Sequence, residues 1–352
     1  MNLEKRINAF VQLGEFLSQF QPSGFVLNDT VQLNDLFLDP FKMQVKRAQE
    51  NNGWFTEDNV MTSFSQWGSI LNNKNLRSWI STYNLNLNNS KLIGVIMAGN
   101  IPLVGFHDFL SVLISGHSIL VKQSSTDTHF LPLIAKFLEH AAPEFKGKIH
   151  FSEDRLEGFD AVIATGSNNT ARHFEYYFGK YPNIIRRNRN SVAVLTGNES
   201  HEELEALGED IFRYFGLGCR SVSKLFVPDD YDFDLLFRAI FPYKELIEYQ
   251  KYSNNYDYNK AVYLMSQFQL LENGFVMLKE DQSYASPIAT LFYEYYSNLS
   301  DLKLKIKTDK DLIQCVVGNM ITDDSLAFGH TQKPGLDDYA DGIDTMQFLA
   351  EL

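Results

Sequence analysis

Polar residues dominate the first ninety positions, and the apolar ones among them fall at helical spacing. Ile7, Phe10, Val11, Leu13, Phe16 and Leu17 mark one face of an amphipathic helix, and Asn51-Asn52-Gly53 is a turn signal. From Leu92 the pattern changes. Residues 92–99 (LIGVIMAG) are a short apolar run closed by glycine, as expected of a buried parallel strand. Asn100-Ile101-Pro102 is a turn, 103–115 reads as a buried helix stopped by Gly116, and 118–122 (SILVK) is the next strand. Strand, helix and strand over this length make a βαβ unit with a right-handed crossover.

The alternation continues. Residues 131–141 read as helix, 147–151 and 159–164 (FDAVIA) as strands, and 165–169 as a turn leading into a helix over 170–178. This predicts a doubly wound α/β sheet. A strand over 191–197 follows. Ser200-His201-Glu202-Glu203 is a capping box, and Leu204, Leu207, Ile211, Phe212 and Phe215 share one face of the helix it opens. Cys219 follows Gly216-Leu217-Gly218, and strands are expected over 221–228 and 311–319. No internal repeat or low-complexity linker is evident.

Composition narrows the class. The chain has 352 residues, 44% hydrophobic and 21% charged, which suits a globular protein with room for two domains. Its net charge of −13 argues against nucleic acid as the main partner. Two cysteines rule out a disulfide scaffold and fit a reducing compartment, so a cytoplasmic location is expected. The amino-terminal segment lacks the apolar core of a signal peptide. The apolar stretch 92–121 contains His107 and Asp108, a pair too costly for a membrane span.

Several residues are candidates for chemistry. Cys219 follows a glycine turn, with Arg220 and Lys224 close in sequence to favour thiolate. It is either a nucleophile or a small buried hydrophobe. Cys315, inside IQCVV, reads as inert core. Asn100 closes a buried strand, either as an oxyanion donor or as an ordinary turn residue. Lys122, at a strand end before Gln123-Ser124-Ser125, suits a ribose or phosphate. Gly166 and Ser167 open a helix whose amino terminus suits a pyrophosphate, although GxGxxG is absent. His107 and Asp108 are adjacent on one helix and cannot form a dyad. Tyr249, Tyr252, Tyr256, Tyr258 and Tyr263 line an acyl tunnel or simply pack. No metal-ligand spacing and no P-loop occur.

Taken in order, these residues resemble the aldehyde dehydrogenase superfamily. Ala98-Gly99-Asn100-Ile101-Pro102 matches in part its Pro-Trp-Asn-x-Pro segment. Lys122-Gln123-Ser124 matches its Lys-Pro-Ser, Thr165-Gly166-Ser167 its Thr-Gly-Ser, and Gly216-Leu217-Gly218-Cys219 loosely its nucleophile segment. The ending FGHTQKPGLDDYADGIDTMQFL is similar to bacterial acyl-CoA reductases related to the fatty-acid reductase of bioluminescence. The resemblance extends over roughly residues 90–350.

The resemblance implies an NADPH-dependent acyl-CoA reductase, with NAD as the second choice of cofactor. Cys219 is the nucleophile, Asn100 the oxyanion donor, and Lys122, Ser125, Gly166 and Ser167 hold the cofactor. The substrate is an acyl-CoA or acyl-carrier thioester, and a homo-oligomer is consistent with the family. The hydrolytic Glu of aldehyde-oxidising relatives has no counterpart in 185–190 (IRRNRN). Ser125 stands where an acidic residue often holds the adenosine ribose, which favours NADP. The expected layout is a cofactor domain over 1–194, a catalytic domain over 195–327 with Cys219 facing the cleft, and a returning tail over 328–352. A cysteine acyltransferase or thioesterase, and a non-catalytic nucleotide-binding subunit, are the alternatives.

Overall fold

The computed structural model describes residues 1–85, 90–319 and 321–352. They form two compact units, Met1–Arg187 with Gly335–Leu352, and Asn188–Pro334.

The first unit begins with helices α1 (Leu3–Leu17), α2 (Asn34–Asn51), α3 (Glu57–Ile70) and α4 (Asn73–Ile80). A short antiparallel pair, β1 (Phe20–Gln21) and β2 (Gly24–Phe25), lies between α1 and α2 in sequence. The stripe on α1 is buried at Ile7, Phe10, Leu13, Phe16 and Leu17. Phe16 meets Phe41 with ring centroids 4.9 Å apart, and Phe20 meets Phe64 edge-on at 5.3 Å. Aromatic side chains thus tie the amino-terminal helices together. Asn2, Thr56 and Asn72 cap α1, α3 and α4 by accepting from first-turn amides.

Five parallel strands follow: β3 (Leu92–Ile96), β4 (Ser118–Lys122), β5 (Ile149–Phe151), β6 (Ala161–Thr165) and β7 (Asn183–Arg186). Their order across the sheet is β5-β4-β3-β6-β7. Helices α5 (Phe106–Ser115) and α6 (Phe130–Ala141) share a core with Ile93, Val95, Ile119 and Val121 on one face. Helix α7 (Asn168–Phe178) covers the other face, where Phe174 and Phe178 pack on Phe159, Val162 and Ala164. Cover on both faces is why these strands read as unbroken apolar runs. The chain leaves β3 for β4 on one side and returns to β6 on the other. The carboxyl ends of β3 and β6 therefore flank a topological switch point.

The second unit contains β8 (Asn190–Val194), α8 (His201–Phe212), β9 (Val222–Pro228), α9 (Phe233–Ala239), α10 (Gln250–Met265), β10 (Leu271–Glu272), β11 (Met277–Glu280), β12 (Thr290–Tyr296), α11 (Leu299–Thr308) and β13 (Ile313–Val317). The sheet order is β10-β11-β12-β9-β8-β13, parallel except for the short β10–β11 pair. Both halves of the capping box form: Ser200 Oγ accepts from the Glu203 amide at 3.2 Å and Glu203 accepts from the Ser200 amide at 2.8 Å. Strand β8 falls within the span assigned by sequence to the first domain. It pairs with β9 and β13 and belongs to the second sheet.

The returning tail joins the first unit from Gly335, ending in α12 (Thr345–Ala350). Trp79 Nε1 donates to Tyr339 Oη at 2.7 Å, and His117 Nε2 donates to the Leu349 carbonyl at 3.0 Å. Residues 328–334 stay with the second unit, held by contacts to Asp210 described below. No helix among the described residues is long and apolar enough to cross a membrane.

Candidate active site

In the first unit, the expected cofactor residues collect at one edge of the sheet. Lys122 pairs in register with Ile96, Ile96 with Ala164, and Thr165 with Arg186, so these strands end level. Asn100, Lys122, Ser125, Gly166 and Ser167 all leave from that carboxyl edge. Lys122 is half-buried, and its Nζ donates to the Asp154 carbonyl at 3.0 Å. An ammonium carries three donors, so the contact fixes the side chain without exhausting it. Ser125 is exposed on the turn after β4. Asn100 is exposed in the bend after β3. Ser167 is the N-cap of α7, accepting from the Thr170 amide at 3.2 Å, and Gly166 donates to the Arg186 carbonyl at 3.4 Å.

The loops after β3 and β4 are locked together. Thr126 Oγ1 donates to the Gly99 carbonyl at 2.8 Å, and a Cβ on Gly99 would lie 2.5 Å from Ser124 Cβ. Only glycine permits that approach. Leu103 follows with φ of 58°, a left-handed conformation unfavourable for leucine, and its amide donates to Asp127 Oδ2 at 3.3 Å. Burial raises the Asp127 carboxyl to about 6.

That shift sets a sign. An Asp with a raised folded pKa binds its proton more tightly when folded. Stability therefore falls as pH rises from the unfolded value near 4 to about 6, by about 3 kcal/mol, and then levels. Asp127→Asn keeps an acceptor for Leu103. The variant is expected to melt higher than the parent above pH 6 and to lose this pH dependence. Melting temperatures recorded across pH 4–7 check it; parallel curves for the two proteins would refute the assignment.

In the second unit, helix α8 stops at Phe212, short of the turn expected to continue it. Tyr214 and Phe215 take φ of 56° and 57°, and Gly216 follows at 73°. Two bulky left-handed residues in succession are strained. Burial holds them: Tyr214 and Phe215 are 5% and 4% exposed, and Phe215 packs on Tyr249 with centroids 5.1 Å apart. The turn delivers Cys219 to the surface just ahead of β9, and its carbonyl accepts from Ser191 Oγ at 3.0 Å. Cys315 is buried in β13, as expected of an inert thiol.

The nearby cations are not where the sequence suggested. Lys224 is fully buried, and its Nζ binds Glu294 Oε2 at 2.6 Å and the Gln282 carbonyl at 2.8 Å. Burial lowers its pKa. Arg220 Nε donates to the Thr331 carbonyl at 2.5 Å. Arg186 is likewise committed in the first unit. It is buried, forms a bidentate pair with Asp108 at 2.5 and 2.8 Å, and donates to Thr345 Oγ1 at 2.8 Å. His107 turns away from Asp108 and bonds the Leu336 carbonyl at 2.9 Å, so the adjacent pair is no dyad. Of the five tyrosines weighed as a tunnel, Tyr252 and Tyr256 are buried and Tyr249 and Tyr258 are exposed.

One segment of the ending quoted above, tied to the residues after Cys219, holds residues that the sequence did not mark as site candidates. Gly329-His330-Thr331 is clamped by Asp210 of α8. Asp210 accepts from the Gly329 amide at 2.7 Å, the Thr331 amide at 2.9 Å and Thr331 Oγ1 at 2.9 Å. The residues following His330 then bond the residues following Cys219: Thr331 with Arg220, and Gln332 Nε2 with Ser221 Oγ at 3.3 Å. His330 is exposed on the segment that these two bonds tie to the residues after Cys219. His330 Nδ1 lies 2.9 Å from the Phe328 carbonyl. A carbonyl only accepts, so Nδ1 carries the proton and Nε2 is the basic nitrogen of the neutral ring. The signal in sequence was the capping-box helix holding a buried Asp, whose partner lies more than 100 residues away. Among the described residues no group of three or more His, Cys, Asp or Glu side chains is placed to hold a metal ion.

Comparison with known proteins bears on the fold. The fold resembles aldehyde dehydrogenase 21 from Physcomitrella patens, solved with its reaction product succinate. The TM-score is 0.62 at 11% identity, covering 87% of this chain and 71% of that one. It also resembles an NADP dependent enzyme of E. coli (0.61, 10%, 87% and 71%) and the putative aldehyde dehydrogenase PutA from Anabaena variabilis (0.55, 15%, 86% and 76%). No curated protein matches the chain. The fold is thus that of the aldehyde dehydrogenases. Residues 77–235 match the family described as acyl-CoA reductase (LuxC), a span that includes Asn100, Lys122, Ser125, Gly166, Ser167 and Cys219. Over that span, which is less than half of the chain, the sequence is similar to the LuxC acyl-CoA reductases, and the fold around it is aldehyde dehydrogenase-like.

Proposed function

We propose that the protein reduces an acyl thioester, acyl-CoA or its carrier-protein equivalent, to the aldehyde with NADPH. The observation that carries this reading is the exposed Cys219 on its strained turn, beside the clamped His330 segment, within a chain matching acyl-CoA reductases. His330 Nε2 takes the Cys219 proton. The sulfur attacks the thioester carbonyl, a C–S bond forms, and the carbon–sulfur bond to CoA breaks as the CoA thiolate leaves and takes up a proton. Asn100 is assigned the side-chain hydrogen bond to the oxyanion, with the Cys219 amide as its second donor. Cys219 then carries the acyl group until reduction, after which the C–S bond breaks, the aldehyde departs and the thiol is regenerated.

The donor set at the carboxyl edge of the first sheet fits a nicotinamide dinucleotide: an ammonium, small hydroxyls on a turn, and a serine-capped helix amino terminus. Solved relatives include complexes with NAD. When bound, the cofactor supplies the hydride. Lys122 would hold the adenosine ribose hydroxyls or 2′-phosphate, Ser125 would leave room for that phosphate, and Gly166 and Ser167 would receive the pyrophosphate.

Two measurements test this. Loss of NADPH absorbance on adding acyl-CoA supports the reductase. Acyl-enzyme on Cys219 without NADPH oxidation would instead support acyl transfer or thioester hydrolysis. Ser125→Glu adds like charge beside the 2′-phosphate and is expected to raise the KM for NADPH about tenfold while leaving that for NADH nearly unchanged. Equal loss for both would mean that the ribose site lies elsewhere.

A further inference from the structure

The first unit buries a cation that no carboxylate among the described residues neutralises. Arg6 on α1 is 6% exposed, its Nε is buried without a hydrogen-bond partner, and no ion pair involves it among the described residues. The neighbouring carboxylates are engaged elsewhere, Glu4 with Arg77 and Glu144 with Lys5. A buried unpaired guanidinium is unfavourable unless an anion completes it.

Arg6 lines two cavities, of about 630 Å³ and about 170 Å³, that share Arg6 and Leu85 in their walls. The smaller is basic. Lys148 lines it, its Nζ donating to Ser90 Oγ at 3.0 Å, and no ion pair involves Lys148 among the described residues. His117, also in its wall, is neutral: Nδ1 accepts from the Lys91 amide at 3.1 Å while Nε2 donates to Leu349. The larger cavity has apolar wall at Leu3, Ile7 and Ile80.

We propose that this is a binding site for an amphiphilic carboxylate. The guanidinium takes the carboxylate on two parallel N–H bonds, Lys148 adds the second charge, and the apolar wall takes a hydrocarbon body. Ser90, His117 and Lys148 stand just before β3, β4 and β5. The site is therefore at the amino ends of the strands whose carboxyl ends carry the cofactor residues, a strand length of about 15 Å away. It is separate from the proposed reaction, and an occupant here does not compete for the nucleotide's place.

The probe is octanoate, with inorganic phosphate as the comparison, added to the full chain and to Arg6→Gln, Lys148→Ala and Cys219→Ala. Melting temperature and calorimetric affinity are read. Octanoate is expected to stabilise the parent and Cys219→Ala alike, since any binding at the acyl site is not what Arg6 reports. Arg6→Gln should melt higher than the parent without ligand and lose about 10- to 100-fold in affinity for octanoate. Lys148→Ala, a half-buried position, should lose several-fold and stands in if Arg6→Gln does not fold. An unchanged octanoate response in the cation variants overturns the site. Phosphate binding as tightly as octanoate overturns the carboxylate assignment.

Discussion

Cys219→Ala is expected to remove acyl-CoA reduction and the reverse, CoA-dependent oxidation of aldehyde, by at least about 10⁴-fold. The substitution deletes the one atom that carries the acyl group, and no neighbouring nucleophile shares its turn. The loss should appear as chemistry and not as unfolding. Cys219 is exposed, so alanine there gives up little packing, and the Ser191 contact is made to the main-chain carbonyl, which the variant keeps. Mass spectrometry after incubation with acyl-CoA should show the acyl adduct on the parent and none on the variant. Cys315→Ala is the control. Its thiol lies inside β13, so the change should lower stability by about 1 kcal/mol and leave turnover largely intact. Retained reductase activity in Cys219→Ala would move the nucleophile elsewhere and dissolve the reading of the turn.

With aldehyde and NADP but no CoA, acid should form about 10²- to 10⁴-fold more slowly than thioester forms when CoA is present. Water needs a positioned base to attack an acyl-enzyme, whereas a CoA thiolate does not. Residues 185–190 contain no carboxylate. Nor do their arginines supply free charge: Arg186 is locked to Asp108, Arg187 pairs with Glu175 and Arg189 with Asp311. The tail does bring one carboxylate to this strand end, since Asp341 accepts from the Arg187 amide at 3.2 Å. Asp341→Asn is therefore the informative companion. Sustained acid formation in the parent that collapses in this variant would identify the tail as the source of a base. Sustained formation in both would mean that a different group serves.

The parts legible from sequence were those whose causes are local. The runs LIGVIMAG, SILVK and FDAVIA are strands because both faces of the first sheet are covered, and a doubly covered strand leaves an unbroken apolar signature. The capping box at Ser200 needs only four consecutive residues. What escaped depends on partners far along the chain. Lys224 reads as a solvent cation near Cys219 until Glu294, 70 residues on, is seen to bury it. Arg186 meets Asp108 across 78 residues. Asp210 looks like one more polar residue on a helix, yet it holds Thr331 across 121 residues. The left-handed pair Tyr214-Phe215 has no sequence signature, since neither residue prefers that conformation and burial of both rings imposes it. Of the residues expected to hold the cofactor, Lys122 ends β4 and Ser125, Gly166 and Ser167 follow strand ends, so locating the strands was enough to locate them in the fold.

The returning tail also has a consequence in time. Arg186 and His117, both buried, and the half-buried His107 are polar groups whose bonds end on Thr345, Leu349 and Leu336. A nascent chain that has just emerged to Arg187 has every strand of its first sheet but not these acceptors. They arrive roughly 160 residues later, on the order of 10 to 30 s at about 5–20 residues per second. During that interval the face of α5 that α12 covers stays open, while the second unit, contiguous from Asn188 to Pro334, can fold to completion. The order of maturation on the ribosome is thus the reverse of the order of synthesis: the unit begun second is finished first.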